Sequence, residues 1–126
     1  MIRTILALTA VTAVVLGGAA AAAGASRPRT DLTLVYMADA GYATAVTLRC
    51  DPPGGAHPKP DEACRTLRTA GGRPARLKPA RTMCTMIYAP ITAQITGRWR
   101  GNKITWSQRY GNTCEMTRAT GILFRF

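Results

Sequence analysis

Residues that could carry out nucleophilic catalysis are scarce in this chain. His57 is its one histidine, and Ser26 and Ser107 are its serines. A hydrolytic triad needs a serine and a histidine side by side with an acid. His57, however, lies in a proline-rich segment where we expect a solvent-exposed loop, whereas Ser107 lies on a predicted strand. The residues therefore make a small hydrolase the least favoured interpretation.

Motifs for acid–base catalysis, metals and phosphates are equally weak. Asp61 and Glu62 are adjacent, so on a helix they point apart, and the helix dipole explains them better than catalysis does. There is no Cys-x-x-Cys pair to hold zinc. The pairs Gly54-Gly55 and Gly71-Gly72 lack the spacing of a phosphate-binding loop. We predict a binding protein, not an enzyme, with no cofactor and no metal.

The four cysteines predict a different kind of chemistry, disulfide formation. An even number in a small secreted chain indicates two bridges. Four cysteines allow three pairings, and the sequence alone leaves all three open. The sequential pairing closes the shortest local loop and is favoured: Cys50–Cys64 and Cys84–Cys114. Each bridge would contribute roughly 3–4 kcal/mol by restricting the unfolded chain.

The N-terminal segment has the pattern of a secretory signal peptide. Arg3 precedes the apolar run Ile5 to Leu16, and small residues with A-x-A-like cleavage options follow. An uncleaved anchor is the alternative, but a span needs about 20 apolar residues. We therefore assign residues 1–25 to a signal peptide and residues 26–126 to one domain. This predicts a secreted, extracellular protein with no stable membrane association after cleavage.

The chain is strongly basic, with 17 Lys and Arg against 6 Asp and Glu and a net charge of +11. Only Arg3 lies in the predicted signal, so 16 basic and 6 acidic residues give the mature domain +10. Arginines paired with stacking aromatics would indicate nucleic-acid binding, and this pattern is missing, so no nucleic-acid partner is expected. A solvated basic surface is favoured, and binding of extracellular polyanions or cell envelope is the alternative. The densest basic group lies in a Gly/Pro-rich connector: Arg73, Arg76, Lys78 and Arg81.

Alternating apolar residues predict two strands, one over 32–36 and one over 44–50. A helix then opens at Pro60, with acidic residues in its first turn, and ends at Gly71-Gly72. Its inward stripe is Ala63, Cys64, Leu67 and Ala70. Residues 73–82 form a basic connector with room for one helical turn.

A β-hairpin is the clearest element of the second half. Its first strand begins at Ile91, and we predict a two-residue turn at Gly101-Asn102 that sets Trp99 opposite Ile104. Alternating apolar residues predict a last strand over 122–126. These elements add up to an α+β domain, an antiparallel sheet with one or two helices on one face.

Several long segments carry a resemblance to a known family. They are VTLRCDPPGGAHPKPDEAC (46–64), the pair at 71–72, MCTMIYAPIT (83–92), GRWRGNKITW (97–106), GNTCEM (111–116) and the ILFRF end. Over nearly the whole mature domain, the chain resembles the subtilisin inhibitor-like family of secreted actinobacterial serine protease inhibitors. The resemblance implies the sequential disulfides, a five-stranded antiparallel sheet with two helices, and a homodimer. It also implies a subtilisin-like serine protease as the partner.

The resemblance places a protease-reactive bond between Met86 and Ile87. On local pattern alone, residues 86–88 are more typical of a buried strand. The unbranched, apolar Met86 suits a hydrophobic specificity pocket, which favours subtilisin over trypsin. Further protease contacts are expected on both sides of the bond: Met83, Cys84, Thr85 and Tyr88.

Two residues are expected to support this loop. Pro90 restricts its C-terminal flank. Asn112 matches a family position beneath the loop, where its amide could hydrogen-bond the loop backbone, although it also fits a simple turn residue.

The chain departs from the family pattern in three places. Ala89 stands where the family often has an acidic residue, so a carboxylate contact that steadies the loop is lost. The connector over 73–82 is more basic than the family pattern and would speed association with an acidic protease. The segment before Ala45 matches poorly, which leaves the first strand less well defined.

Overall fold

The computed structural model describes residues 17–18 and 29–126. The predicted signal peptide, residues 1–25, lies outside the described residues except for Gly17 and Gly18. In the described part of the chain, no helix is long and apolar enough to cross a membrane. The strands and α-helices are β1 (Thr30–Ala38), β2 (Ala43–Cys50), α1 (Pro60–Thr69), β3 (Ile91–Trp99), β4 (Asn102–Tyr110) and α2 (Thr113–Thr120). Short 3₁₀ helices cover Pro74–Arg76 and Gly121–Phe124.

The strands form one antiparallel sheet in the order β2-β1-β3-β4. Alternation along each strand separates a covered face from an open one, as the period of two requires. On the covered face, the two helices share one hydrophobic core with the sheet, in which Leu67 of α1 and Met116 of α2 are buried with Leu34 and Ile95. The predicted α+β class, the first four strands and the first helix are confirmed.

The sheet has four strands, so the predicted fifth strand is wrong. Gly121, with φ of 61°, ends α2 in a conformation that favours glycine, and the chain continues as the 3₁₀ helix Gly121–Phe124. The aromatic side chains of this segment fill the core instead of lining a strand. Phe124 packs against Trp106 at 6.2 Å between ring centroids, and Phe126 stacks on Tyr36 at 5.2 Å. Alternating apolar residues here reflect this packing.

The hairpin turn lies one residue earlier than predicted. Trp99 pairs with Asn102, and Ile104 faces Gly97, so the two turn residues are Arg100 and Gly101. Both have positive φ, 47° and 84°, which is the signature of a type I′ turn. The pairing differs from the predicted one by two residues, a shift that leaves every side chain on its face and that alternation cannot detect. The start of β1 holds this turn, because the Arg100 amide donates to the Thr30 hydroxyl at 2.9 Å.

Candidate functional site

An exposed segment of irregular backbone, residues 77–90, joins the first 3₁₀ helix to β3. Its central side chains point away from the protein, since Met86 is 100% exposed and Met83 is 97% exposed. Ile87 and Tyr88 are 65% and 79% exposed. A buried strand over residues 86–88 is therefore ruled out. Four large apolar or aromatic side chains held in solvent are unusual for a monomer surface and mark an interaction site.

Asn112 holds the backbone of this loop from beneath. Its side-chain amide donates to the carbonyl oxygen of Ile87 at 2.7 Å and to that of Thr85 at 3.2 Å. These two carbonyls belong to the residues on either side of Met86. Asn112 is only 7% exposed, so the donor side of both bonds is buried, although the acceptor residues Thr85 and Ile87 are exposed.

The same side chain also begins the second helix. The Asn112 Oδ1 atom accepts the Glu115 amide at 2.9 Å, which is the standard N-cap bond. The Glu115 carboxylate in turn accepts the Gly111 amide at 3.0 Å. Asn112 is thus a cap and a loop contact at once. The spacing Asn-x-x-Glu is a helix-start signal that would have located α2 from the sequence.

The two disulfides follow the sequential pairing. Cys50 joins Cys64, which ties β2 to α1, and Cys84 joins Cys114. Cys84 lies two residues before Met86, and Cys114 lies in the first turn of α2. The second bridge therefore fixes the N-terminal side of the loop to the helix that Asn112 begins.

Backbone hydrogen bonds fix the C-terminal side of the loop. The Ala89 amide donates to the Gly111 carbonyl at 2.8 Å, and the Pro90 carbonyl accepts the Asp39 amide at 3.0 Å. Sequence reasoning missed Asp39 and Gly111 because these contacts join segments far apart in the chain. The exposed tip, residues 85–88, thus lies between two firmly held ends.

The residues considered for catalysis do not converge. His57 is 3% exposed, which corrects the expectation of a solvent-exposed loop residue. Its Nε2 lies 3.1 Å from the Leu123 carbonyl, and its Nδ1 accepts the Lys59 amide at 3.0 Å. Ser107 instead lies on the open face of the sheet, paired with Gln94. Within residues 29–126, no cluster of three or more His, Cys, Asp or Glu could hold a metal ion.

The basic connector residues Arg73, Arg76, Lys78 and Arg81 are all exposed. Within residues 29–126, none of these four side chains forms an ion pair with an acidic residue. This placement fits the solvated surface that the sequence favoured.

Comparison with known proteins assigns this architecture to a family. The sequence model described as subtilisin inhibitor-like matches residues 29–112. The chain belongs to the subtilisin inhibitor-like family. The match begins at residue 29, so it includes β1, the strand that lies before the well-matched sequence segments.

Individual members of the subtilisin inhibitor-like family are similar over most of the domain. Subtilisin inhibitor-like protein 1 of Streptomyces cacaoi is 43% identical over 93 residues, which cover 71% of this chain and 84% of that protein. Protease inhibitor SIL-V2 of Streptomyces orinoci is 39% identical over 92 residues, with the same coverage of 71% and 84%. Sermetstatin of Streptomyces caespitosus, solved in complex with Bacillus licheniformis subtilisin, matches with a TM-score of 0.62 and 25% identity, covering 77% of this chain and all of that one.

Proposed function

We propose that this protein is a substrate-like inhibitor of subtilisin-like serine proteases and that Met86–Ile87 is its reactive bond. The observation that carries the proposal is the pairing of a fully exposed Met86 side chain with flanking carbonyls held by one buried amide. A protease needs the side chain free for its specificity pocket and the backbone extended for strand pairing. Relatives named as protease inhibitors, and a structural neighbour bound to subtilisin, support the partner class.

Rigidity explains how a good substrate becomes an inhibitor. A loop that is already in its bound conformation loses little conformational entropy on association, so it binds tightly. The Cys84–Cys114 bridge and the Asn112 amide hold the segments on both sides of the proposed bond. After cleavage the new termini at Met86 and Ile87 stay close together, so the peptide bond is resealed before the fragments part. The residues that flank this bond also contact the protease: Met83, Cys84, Thr85 and Tyr88.

The side chain of Met86 indicates which class of protease specificity pocket it would fit. Met86 is apolar and flexible, which suits a hydrophobic specificity pocket, whereas trypsin-like pockets carry a buried acid that selects Lys or Arg. We propose strong inhibition of subtilisin and weak inhibition of trypsin. The protein acts after export, with residues 1–25 removed as a signal peptide, and it has no catalytic role of its own.

A homodimer is proposed as the working assembly. The open face of the sheet carries uncharged side chains across all four strands, in the rows Thr47–Thr33–Thr96–Thr105 and Ala45–Val35–Gln94–Ser107. Such a face can pack on a second copy of itself about a two-fold axis. The exposed loop, residues 77–90, leads directly into the start of β3.

A titration tests the inhibitor proposal. The purified domain is added in steps to subtilisin, with trypsin in parallel, and the complex is then analysed by mass spectrometry. Stoichiometric inhibition of subtilisin with a single cut between Met86 and Ile87 supports both the function and the bond. Rapid digestion at many sites without inhibition contradicts the proposal and makes polyanion binding the leading alternative.

A further inference from the structure

Gly111 is the residue to which the C-terminal flank of the loop is bonded. Its carbonyl oxygen accepts the amide of Ala89, three residues after Met86, at 2.8 Å. Gly111 lies in the two-residue link between β4 and α2, so the sheet does not set the direction of this carbonyl. On the other side of the residue, the Gly111 amide donates to the Glu115 carboxylate at 3.0 Å. Glu115 therefore holds the residue that holds the loop.

Glu115 is well placed for this contact because it lies in the first turn of α2, three residues after the cap Asn112. In a capping box, an acid at this position accepts the amide of the cap residue itself. Here the carboxylate reaches one residue further out, to Gly111. Across residues 29–126 it forms no ion pair with a basic side chain. Its hydrogen bond to the backbone is charge-assisted, which makes it stronger than a bond between neutral groups.

The space around Gly111 shows that the two residues form one unit. The backbone of Gly111 does not lie in the left-handed region that favours glycine, so its conformation alone does not require this residue type. A Cβ atom built here would lie 2.8 Å from Glu115 Oε2, and its three nearest neighbours would all be atoms of that carboxylate. Glycine thus leaves free the space that the carboxylate occupies.

We propose that Glu115 is a positioning residue for inhibition, because through Gly111 it holds Ala89 and the cleaved end of the loop in place. The inference rests on the proposed function. The carbonyl of Ile87, the first residue after the proposed cut, is held by Asn112 at 2.7 Å. The bond at Ala89 adds a second anchor two residues further on, which lowers the conformational freedom of the new terminus and the entropy lost on binding.

This second anchor favours resealing of the bond. In resealing, the Ile87 amine attacks the Met86 carbonyl carbon in its ester with the protease serine. The C–N bond forms, the ester C–O bond breaks, and the proton of the amine passes to the serine oxygen. An Ile87 amine that stays close to Met86 attacks faster than a free one, because the step is then intramolecular.

The test compares Glu115→Ala with Glu62→Ala. Glu62 occupies the same position in the first turn of α1, so each variant loses one acid from the start of a helix, and its exposed pair with Lys59 at 3.9 Å is weak. Three quantities are measured well below both melting temperatures: the exchange rate of the Ala89 amide in the free protein, the equilibrium ratio of cleaved to intact inhibitor, and the inhibition constant for subtilisin.

We expect Glu115→Ala to raise all three quantities by roughly two- to tenfold, the range for one hydrogen bond. Glu62→Ala should match the parent in all three. Glu115→Gln keeps an oxygen that can accept the Gly111 amide, so it should restore most of the parent behaviour. Equal results for Glu115→Ala and Glu62→Ala overturn the proposal.

Gly111→Ala tests the same contact from the other side. Its added Cβ atom displaces the carboxylate while the acid stays in the helix, so this variant should reproduce the effects of Glu115→Ala. In the Glu115→Ala background, Gly111→Ala should have no further effect on the three quantities, since the contact is already lost. Effects of the two substitutions that add in full contradict the proposal.

The exchange measurement keeps this inference separate from the proposed function. If the parent protein does not inhibit subtilisin, the function fails, yet faster exchange of the Ala89 amide in Glu115→Ala still supports the hold of Glu115 on the loop. If the parent inhibits and neither the exchange rate nor the cleavage ratio responds, the positioning role fails and the function stands.

Discussion

The side-chain amide of Asn112 lies 2.7 Å from the carbonyl oxygen of Ile87, the residue just beyond the proposed reactive bond. The other end of the same amide group caps α2. The stability of the helix and the conformation of the loop therefore depend on one side chain. Serine, like asparagine, is a good N-cap residue, but its short side chain lacks the amide that reaches the loop. Substitution can thus separate the two roles.

Asn112→Ser is expected to keep the fold and loosen the loop. The N-cap bond survives, so the free energy of unfolding should fall only by the contribution of the two lost loop bonds, about 0.5–1.5 kcal/mol each. Loss of these two part-buried hydrogen bonds should also speed net cleavage of Met86–Ile87 by subtilisin on the order of tenfold. Asn112→Ala should lose the cap as well and cost about 1 kcal/mol more stability than Asn112→Ser. Denaturant titration and timed mass analysis measure the two effects, and equal cleavage rates for the parent and Asn112→Ser would rule out the loop role.

Met86→Lys is expected to change which protease is inhibited. A lysine can pair with the buried acid of a trypsin-like pocket, and a hydrogen bond to a charged group is worth about 1.5–3 kcal/mol. The ratio of inhibition constants should therefore move towards trypsin by about tenfold to 100-fold. Met83→Lys is the matched control, because Met83 is equally exposed on the same loop. An unchanged ratio for Met86→Lys, or an equal shift for Met83→Lys, contradicts the assignment of the reactive bond.

The two disulfides offer a comparison between stability and inhibition. Replacing either pair with alanine should cost about 3–4 kcal/mol through loop entropy, against a total of about 5–15 kcal/mol for a domain. Only loss of Cys84–Cys114 should release the reactive loop and convert the inhibitor into a substrate. Loss of Cys50–Cys64 should lower the melting temperature and leave inhibition intact below it. Inhibition assays well below the melting temperatures of both variants distinguish loss of stability from release of the loop. Slow cleavage of both variants would mean that the Cys84–Cys114 bridge has no special role in inhibition.

Burial of the Tyr110 phenol is expected to lower the stability of the fold at alkaline pH. Burial raises the pKa of its phenol above the value of about 10 for an exposed tyrosine. In the window between these two pKa values, the unfolded chain releases the proton while the folded protein keeps it. The stabilising contribution of the protonated Tyr110 phenol is therefore complete below about pH 10. The free energy of unfolding then falls as pH rises through the pKa of this phenol in the folded protein. Tyr110→Phe should flatten this decline in denaturant titrations from pH 9 to 11.5, whereas Tyr42→Phe, at a site 55% exposed, should follow the parent.

The open face of the sheet predicts the mode of dimerisation. Val35 lies on the central strand β1 of that face, so Val35→Lys would set two like charges against each other across a two-fold axis. Sedimentation equilibrium should give a dimer for the parent and a monomer for this variant, with inhibition of subtilisin retained. Thr69→Lys, on the exposed surface of α1, should remain dimeric. A dimer that survives Val35→Lys places the interface elsewhere.

Local patterns in the sequence determined much of the framework. Alternation predicted the four strands that pair, and Pro60 with its acidic first turn predicted α1, because both signals act within a few residues. Long motifs identified the family, although the poorly matched segment before Ala45 also lies within the matched domain.

Only the tertiary structure decided the remaining features, because each depends on residues far apart in the chain. The 122–126 segment alternates like a strand, yet packing of Phe124 and Phe126 makes it part of the core. His57 is buried, and its Nε2 atom contacts the backbone carbonyls of Ile122 and Leu123 near the C-terminal end of the chain. The support of the loop by Asn112 arises where residues 85–87 and the start of α2 meet. Periodicity sets which face a residue occupies, and folding sets which distant segment that face meets.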